Sequence, residues 1–418
     1  MTKVITFLGI YPQSTTYVMP DGNICTAQFF GAALARVLPG LEFCVFVTDK
    51  AAENSLDKFT EEVTGQVATL TPIRIPDGDN EEQLWHIFEK VVETVKEGDR
   101  VIFDITHSFR SVTFLSFLAA AYLRTVKRID LVSVLYGNFE AARKHPSGYA
   151  PVIDMTSFVS LLDWMVAADR FIRSGDASDL AQRLQSVGPN LRDVTQTERN
   201  QWSETGIPQL AATLTTLSRA LLLIRPYEAM DASERLRLVL PSAIESTGRL
   251  ARPFTPLSQQ IADSFACFAL AEQQQKQAVR ALEVERSLID WHLSRNQLVQ
   301  AVAVAREWMI SYLMVHTLGP KCNLLDKEER KQIENALGWA IQKEKRGYAA
   351  ADEAIHLPLQ PADKIKELVD LYNQLGDCRN DLMHAGKRAR ARKSKDLAAE
   401  AKGLCKRLDE LPIPAQPQ

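Results

Sequence analysis

The hydrophobic pattern changes partway along the chain. In the first third, short runs rich in Val, Ile and Phe recur: VITFLG at 4–9, EFCVFVT at 42–48, TPIRIP at 71–76, RVIFDIT at 100–106 and DLVSVLYG at 130–137. Their length and β-branched content predict strands. Longer stretches with helical spacing separate them, at 27–37, 81–96 and 109–127. Apolar strands alternating with helices predict a mostly parallel, Rossmann-like sheet covered on both faces. Such sheets take ligands beyond the carboxyl ends of their strands, where strand order reverses. From about Phe158 the β-runs cease, and 161–173, 207–223, 262–293, 297–318 and 361–386 carry helical spacing. The expected fold class is α/β plus all-α, with domains at 1–156 and 157–418 joined through a helix.

Composition narrows the class. A chain of 418 residues holds two or three domains, and 46% hydrophobic with 24% charged residues is ordinary for a globular protein. A net charge of −3 excludes a polycation built for nonspecific nucleic-acid binding. No uninterrupted apolar run approaches the roughly 18 residues of a membrane span, and the opening MTKVITFLGIYPQ lacks the long apolar core of a signal peptide. The six cysteines are scattered without a CxxC pair, so neither a zinc site nor a disulfide framework is expected. The expected setting is cytoplasmic, without membrane contact. Charge is uneven: residues 1–156 hold 14 basic and 19 acidic residues, whereas 379–407 hold 10 basic and 3 acidic, including KRARARKSK at 387–395. Such a patch attracts a polyanion locally, or is a solvated, frayed tail.

Two windows carry candidate chemistry. In DKIKELVDLYNQLGDCRNDLMHAG (363–386), a 100° helical step gathers Leu368, Val369, Tyr372, Leu375, Leu382 and Met383 on one face, with Arg379 near its centre. A guanidinium there is paired, kept for a purpose, or snorkels with its head in water. His384 lies about 140° round the helix from Arg379, while Asn380 and His384 are i, i+4 neighbours within hydrogen-bonding reach. The second window, RVIFDITHSFRSVTFLSFLAAAYL (100–123), is a buried strand, a polar elbow at 104–110 and an apolar helix. Thr106 or Ser108 would cap that helix, whose first amides favour an anion, with Arg110 or His107 adding charge-assisted hydrogen bonds. No GxGxxG or P-loop is present. The polar density at one strand end points to a phosphate-bearing ligand, although most such turns are plain βα turns.

The segment Arg379-Asn380-Asp381-Leu382-Met383-His384 resembles the R-x4-6-H motif of HEPN ribonucleases. The helix QAVAVAREWMISYLMVH at 300–316 resembles HEPN domains of CRISPR-associated effectors. DITHSFR at 104–110 resembles the D-x-[ST]-H-x-x-[RN] elbow of CARF domains in Csx-type proteins, and FLG at 7–9, LYGNFE at 135–140 and DMTSFVSLLDW at 154–164 extend that likeness. The chain departs after Gly9, where Ile10-Tyr11 stand in place of a frequent second glycine. Residues 174–285 match no motif.

The resemblance implies a CARF–HEPN ribonuclease, an ancillary effector of type III CRISPR antiviral defence. It implies that 1–156 binds cyclic oligoadenylate through Gly9, Ile10, Thr106, His107, Ser108, Arg110, Gly137 and Asn138. It further implies that a homodimer or higher homo-oligomer brings two motifs together to cut single-stranded RNA. Arg379, Asn380 and His384 would then be the catalytic residues. His384 would act as acid or base while the ribose 2′-OH attacks the adjacent phosphate, and Arg379 would stabilise the phosphorane charge. The reaction needs no metal or other cofactor, and no His or carboxylate cluster with metal-ligand spacing stands in the sequence. Cyclic tetra-adenylate is the first choice of activator and the hexa-adenylate the alternative. Two rival readings remain: a non-catalytic sensor that binds nucleic acid or a partner, and a CARF half that slowly cleaves its own ligand.

Overall fold

The apolar runs of the first third form the centre of an eight-stranded sheet, counted among the described residues. In the computed structural model, which describes residues 2–11, 13–107, 110–142, 144, 148–189, 194–346, 357–387 and 392–415, the chain divides into two units, Met1–Asp163 and Trp164–Gln418. The first holds β1 (Thr2–Phe7), β2 (Thr15–Val18), β3 (Ile24–Ala27), β4 (Glu42–Val47), β5 (Thr69–Arg74), β6 (Arg100–Asp104), β7 (Asp130–Gly137) and β8 (Ala150–Asp154). Their order is β3-β2-β8-β7-β6-β1-β4-β5. Strands β7, β6, β1, β4 and β5 are mutually parallel, β8 runs antiparallel to β7, and β2 pairs antiparallel with β3. The expected mostly parallel sheet is therefore present.

Strict alternation explains why these strands read as continuous apolar runs. On β4, Phe43, Val45 and Val47 enter one core while Cys44 and Phe46 enter the other. On β6, Ile102 faces the first core, and Val101 and Phe103 face the second. Both faces are covered, so both sets are buried, each large side chain contributing about 1.5–3 kcal/mol. Helices α1 (Phe30–Val37), α2 (Asp49–Ala51) and α3 (Asp57–Val63) follow in the first half of the unit. A π-helical turn, Ala52–Leu56, links the last two. Then come α4 (Glu81–Thr94), α5 (Arg110–Val126), α6 (Phe139–Ala142) and α7 (Thr156–Ser174), the last containing the division between the units. Strands β2, β3 and β8 were not expected: TTYV and ICTA are short and half-polar, as suits a hairpin at a sheet edge.

The second unit is helical, as expected. It comprises α8 (Ser178–Ser186), α9 (Gln196–Glu204), α10 (Ile207–Leu222), α11 (Pro226–Leu250), α12 (Thr255–Phe265), α13 (Glu272–Gln275), α14 (Ala278–Ser294), α15 (Leu298–Leu318), α16 (Lys327–Arg346), α17 (Ile365–Met383) and α18 (Ser394–Arg407). Helix α15 is long and apolar enough by composition to cross a membrane, yet Trp308, Met309, Ile310, Tyr312 and Leu313 are buried at the centre of a core. An all-round apolar helix is what a central position requires. The Trp308 indole N–H donates to the Leu282 carbonyl at 2.8 Å, and the Arg286 guanidinium lies 4.4 Å from its ring.

One expectation fails here. The stretch 262–293 is not a single helix but α12, a 3-10 turn, α13 and α14. The break places Phe265 and Phe268 in an aromatic cluster, with Phe265 stacked on Phe171 at 4.4 Å and Phe268 edge-on to Trp291 at 6.0 Å. The basic run, read as a frayed tail or a polyanion patch, leads directly into α18, whose Ala401, Leu404 and Cys405 are buried.

Candidate functional site

Two separate groups of residues were singled out by sequence, one in each unit. In the first, strand order reverses at β1 and β6, so the loops after these neighbours diverge and leave a crevice at their carboxyl ends. Gly9 and Ile10 follow β1, Thr106 and His107 follow β6, Gly137 ends β7 and Asn138 succeeds it. A Cβ on Gly9 would lie 3.4 Å from the His107 carbonyl oxygen, so the two loops pass in contact. A Cβ on Gly137 would sit 2.8 Å from the buried Tyr17 ring, which only glycine avoids.

A buried network fixes the elbow. Asp104, fully buried, accepts from the Thr6 hydroxyl at 2.7 Å and from the Thr106 N–H at 2.9 Å. The Thr106 hydroxyl accepts from the Gly137 N–H at 2.9 Å, so Thr106 ties β7 to the elbow. Burial pushes the Asp104 carboxyl above its ordinary value, against the pull of His107 and of these hydrogen bonds. His107 is turned away from the role sequence gave it. Its Nε2 accepts from the Phe30 N–H at 3.2 Å, at the start of α1, and its ring stacks on Phe139 at 5.9 Å. Burial lowers its basicity, opposed by Asp104. A neutral imidazole accepting an amide proton braces the loop; it offers no positive charge to a phosphate. Asn138 is likewise committed, its side-chain oxygen accepting from Ala141 N–H at 3.1 Å to start α6. Ser108 lies outside the described residues, as does the Arg110 side chain, although Arg110 begins α5.

Open space lies beside these loops. A cavity of about 540 Å³ is lined by Ile10, Tyr11, Lys50, Asn54 and Lys58, and one of about 340 Å³ by Ile10, Thr48, Lys50, Asp77, Gly78, Asp79 and Ser111. Sequence reasoning missed Lys50, Asn54 and Lys58. Their i, i+4, i+8 spacing just after a strand run was the available signal, because the helical turns from Asp49 to Val63 set all three on one face. Tyr11, 84% exposed, adds an aromatic face. Two cations and one ring beside an anion-sized opening suit a nucleotide with phosphates.

In the second unit, α17 is anchored by Leu368, Leu371, Leu375 and Cys378, all buried. The Tyr372 hydroxyl accepts from the Arg306 guanidinium at 2.6 Å. The apolar face drifts with length, and by the last turn the buried positions are Cys378 and Asp381. Arg379 therefore stands exposed, as do Met383 and His384, and Asn380 is half-buried. The expected placement of Arg379 at the centre of a buried stripe is corrected by that drift. Arg379 Nη1 donates to the Asn380 side-chain oxygen at 3.3 Å. His384 is the C-cap, its N–H bonded to the Asn380 carbonyl at 3.0 Å, and Ala385 and Gly386 turn the chain with φ of 52° and 70°. His384 thus stands at the rim of a helix end, exposed. Asp381, 3% exposed, accepts from the Arg392 N–H at 3.4 Å and lies 3.8 Å from its guanidinium, which also pairs with Glu400 on α18 at 3.1 Å. The result is a helix end anchored through Asp381, with the Arg379 and His384 side chains exposed on it.

No family model matches the chain. A stretch of 151 residues, 35% of the chain, is 23% identical to the CRISPR-associated protein MJ1674 of Methanocaldococcus jannaschii, of which it spans 24%. The chain thus covers about a quarter of that relative's length. A solved structure of Enterococcus italicus Csm6 bound to cyclic hexa-2′-fluoro-hexa-dAMP aligns over 98% of this chain and 93% of that one, with 10% identity and a TM-score of 0.40, too loose a likeness to bear on function. Part of this chain is therefore similar in sequence to a CRISPR-associated protein.

Proposed function

We propose that this chain is a CRISPR-associated ribonuclease switched on by cyclic oligoadenylate, with the first unit as sensor and the second as nuclease. The observation that carries this reading is the exposure of Arg379 and His384 at the end of an otherwise buried, clamped helix. A packed helix that presents an arginine and a histidine to solvent, five residues apart, is poised for phosphodiester chemistry. His384 moves the proton of the ribose 2′-OH or of the 5′-oxygen leaving group, and Arg379 stabilises the charge gathered on phosphorus. The attacking 2′-oxygen forms the new P–O bond as the 5′-oxygen departs, leaving a 2′,3′-cyclic phosphate and a 5′-hydroxyl. DNA, lacking that oxygen, is inert.

On an ideal helix about 140° separates positions five residues apart, so this reading has one chain supplying only part of the site at each phosphate. A homodimer with facing motifs supplies the rest. A row of exposed apolar residues on α5, Phe114, Leu118, Tyr122 and Val126, recurs every four positions and offers the second copy a seam next to the ligand loops. Phe114→Asp is expected to shift sedimentation from dimer toward monomer and to lose RNA cleavage with it. A dimer of unchanged stability would place the seam elsewhere.

Cyclic tetra-adenylate is the proposed activator. The ring acts by binding one arrangement of the nuclease pair better than the other. Lys50→Ala and Lys58→Ala are each expected to weaken ring binding by about 3–10-fold, the loss shrinking at high salt because it is electrostatic. Calorimetry at two salt concentrations checks this. The functional test is cleavage of labelled single-stranded RNA in EDTA with each cyclic oligoadenylate in turn. Rapid cutting with one ring and little without it is expected. RNA that stays intact with every ring would leave the non-catalytic sensor as the better reading.

A further inference from the structure

The basic stretch after His384 has no part in the reading above, yet the chain returns from it to the end of α17. The Arg392 N–H lies 3.4 Å from the buried Asp381 carboxylate, and the Arg392 guanidinium pairs with Glu400 at 3.1 Å. Helix α18 therefore starts beside the turn that holds His384. Its last turn meets α17 again, where Arg407 donates to the Gln374 side chain at 3.1 Å.

On α18, Lys395, Lys402 and Lys406 are exposed and fall within about 20° of one line along the helix, over about 16 Å. Ala401 and Leu404 face the core on the other side. Among the described residues the Lys395 and Lys406 side chains have neither a hydrogen bond nor an ion pair. Lys402 donates to the neutral Asn296 side chain at 2.7 Å, which holds the ammonium without cancelling its charge. Carboxylates stand off the line: Glu400 is taken by Arg392, Asp396 lies about 100° from Lys395, and Asp409 and Glu410 close the far end. Ala399 and Gly403 stand between the lysines, and a Cβ on Gly403 would meet nothing within 4 Å, so another chain can lie close to the helix. Helix α18 has no aromatic residue on which a base could stack.

We propose that this face of α18 holds single-stranded RNA by its phosphates, on the stretch that leads to Arg379 and His384. The identity of the strand rests on the nuclease reading, and continuity with the exposed motif favours RNA over an acidic protein segment. Contacts to phosphate alone add affinity without sequence preference.

Binding of a labelled RNA of about 20 nucleotides with every 2′-oxygen methylated, followed by fluorescence anisotropy across a salt series, tests the surface without cleavage. Replacing Lys395, Lys402 and Lys406 together by alanine should weaken binding at least about tenfold at about 0.1 M salt. It should also flatten the slope of log affinity against log salt by about 2. Replacing the three by arginine should keep both. For cleavable RNA, the alanine variant should raise KM by a similar factor and hold kcat. Failure of the parent to bind the methylated RNA, or an alanine variant with the parent's affinity and slope, overturns the proposal. RNA bound through these lysines and never cut would instead keep the surface and remove the nuclease reading.

Discussion

Arg379→Ala and His384→Ala are each expected to reduce ring-stimulated RNA cleavage by about 100- to 10,000-fold, the span measured when a general acid–base group or a charge-stabilising donor is removed. Both residues are exposed, so the loss should come without unfolding. Surface substitutions typically change stability by about 0.5 kcal/mol or less, or roughly 1–2 °C in melting temperature for a unit this size. Ring affinity, measured by calorimetry, should be unchanged in both. Because the two side chains act on one phosphate, the double variant should be little worse than either single one. Full cleavage by either variant would remove the motif from the mechanism. A loss that tracks a drop in melting temperature would make the residues structural.

The second large effect lies at Asp104. Asp104→Ala should destabilise the first unit by about 2–5 kcal/mol, because the Thr6 hydroxyl and the Thr106 amide each lose their buried acceptor at about 1–3 kcal/mol apiece. Ring binding should fall with it, since the elbow and its link from Thr106 to Gly137 are set by that carboxylate. Asp104→Asn retains one acceptor oxygen and should recover part of both losses. Denaturant unfolding paired with calorimetry reads the two together. An Asp104→Ala protein as stable as the parent would mean the network contributes nothing net.

The sheet was legible in the sequence where both faces are buried. Phe43 through Val47 have nowhere to point but into a core, so hydrophobicity marked the strand at every position. The hairpin of β2 and β3 escaped because Thr16 and Thr26 pair across an exposed edge, leaving little apolar signal in four-residue strands. Helices α11, α16 and α18 were likewise passed over. Pro241 inside α11 and the dense charge of α16 and α18 blur the helical period that packing nonetheless enforces.

Sequence pointed to loops that the structure brings together at the switch point of the sheet, without revealing what each residue does in them. The polar elbow read as a row of ligand contacts, whereas Thr106 and Asn138 bond to backbone amides of their own unit and His107 braces α1. Spacing along a chain cannot tell a side chain that faces a ligand from one that faces its own backbone. The converse error hid Lys50 and Lys58, which stand far from the elbow in sequence and beside Ile10 in space. For α17, a fixed 100° step placed Arg379 among apolar neighbours, but the buried face drifts toward Cys378 and Asp381 and leaves Arg379 outside. That drift is what leaves the arginine exposed to solvent.

A DNA oligonucleotide carrying a single ribose, incubated in EDTA with and without cyclic tetra-adenylate, reports directly on 2′-hydroxyl attack under ligand control. The expected result is one cut, on the 3′ side of the ribose, only when the ring is present, with a 2′,3′-cyclic phosphate on the upstream fragment. Cutting at deoxyribose positions, or a cut at the ribose at the same rate without the ring, would contradict it.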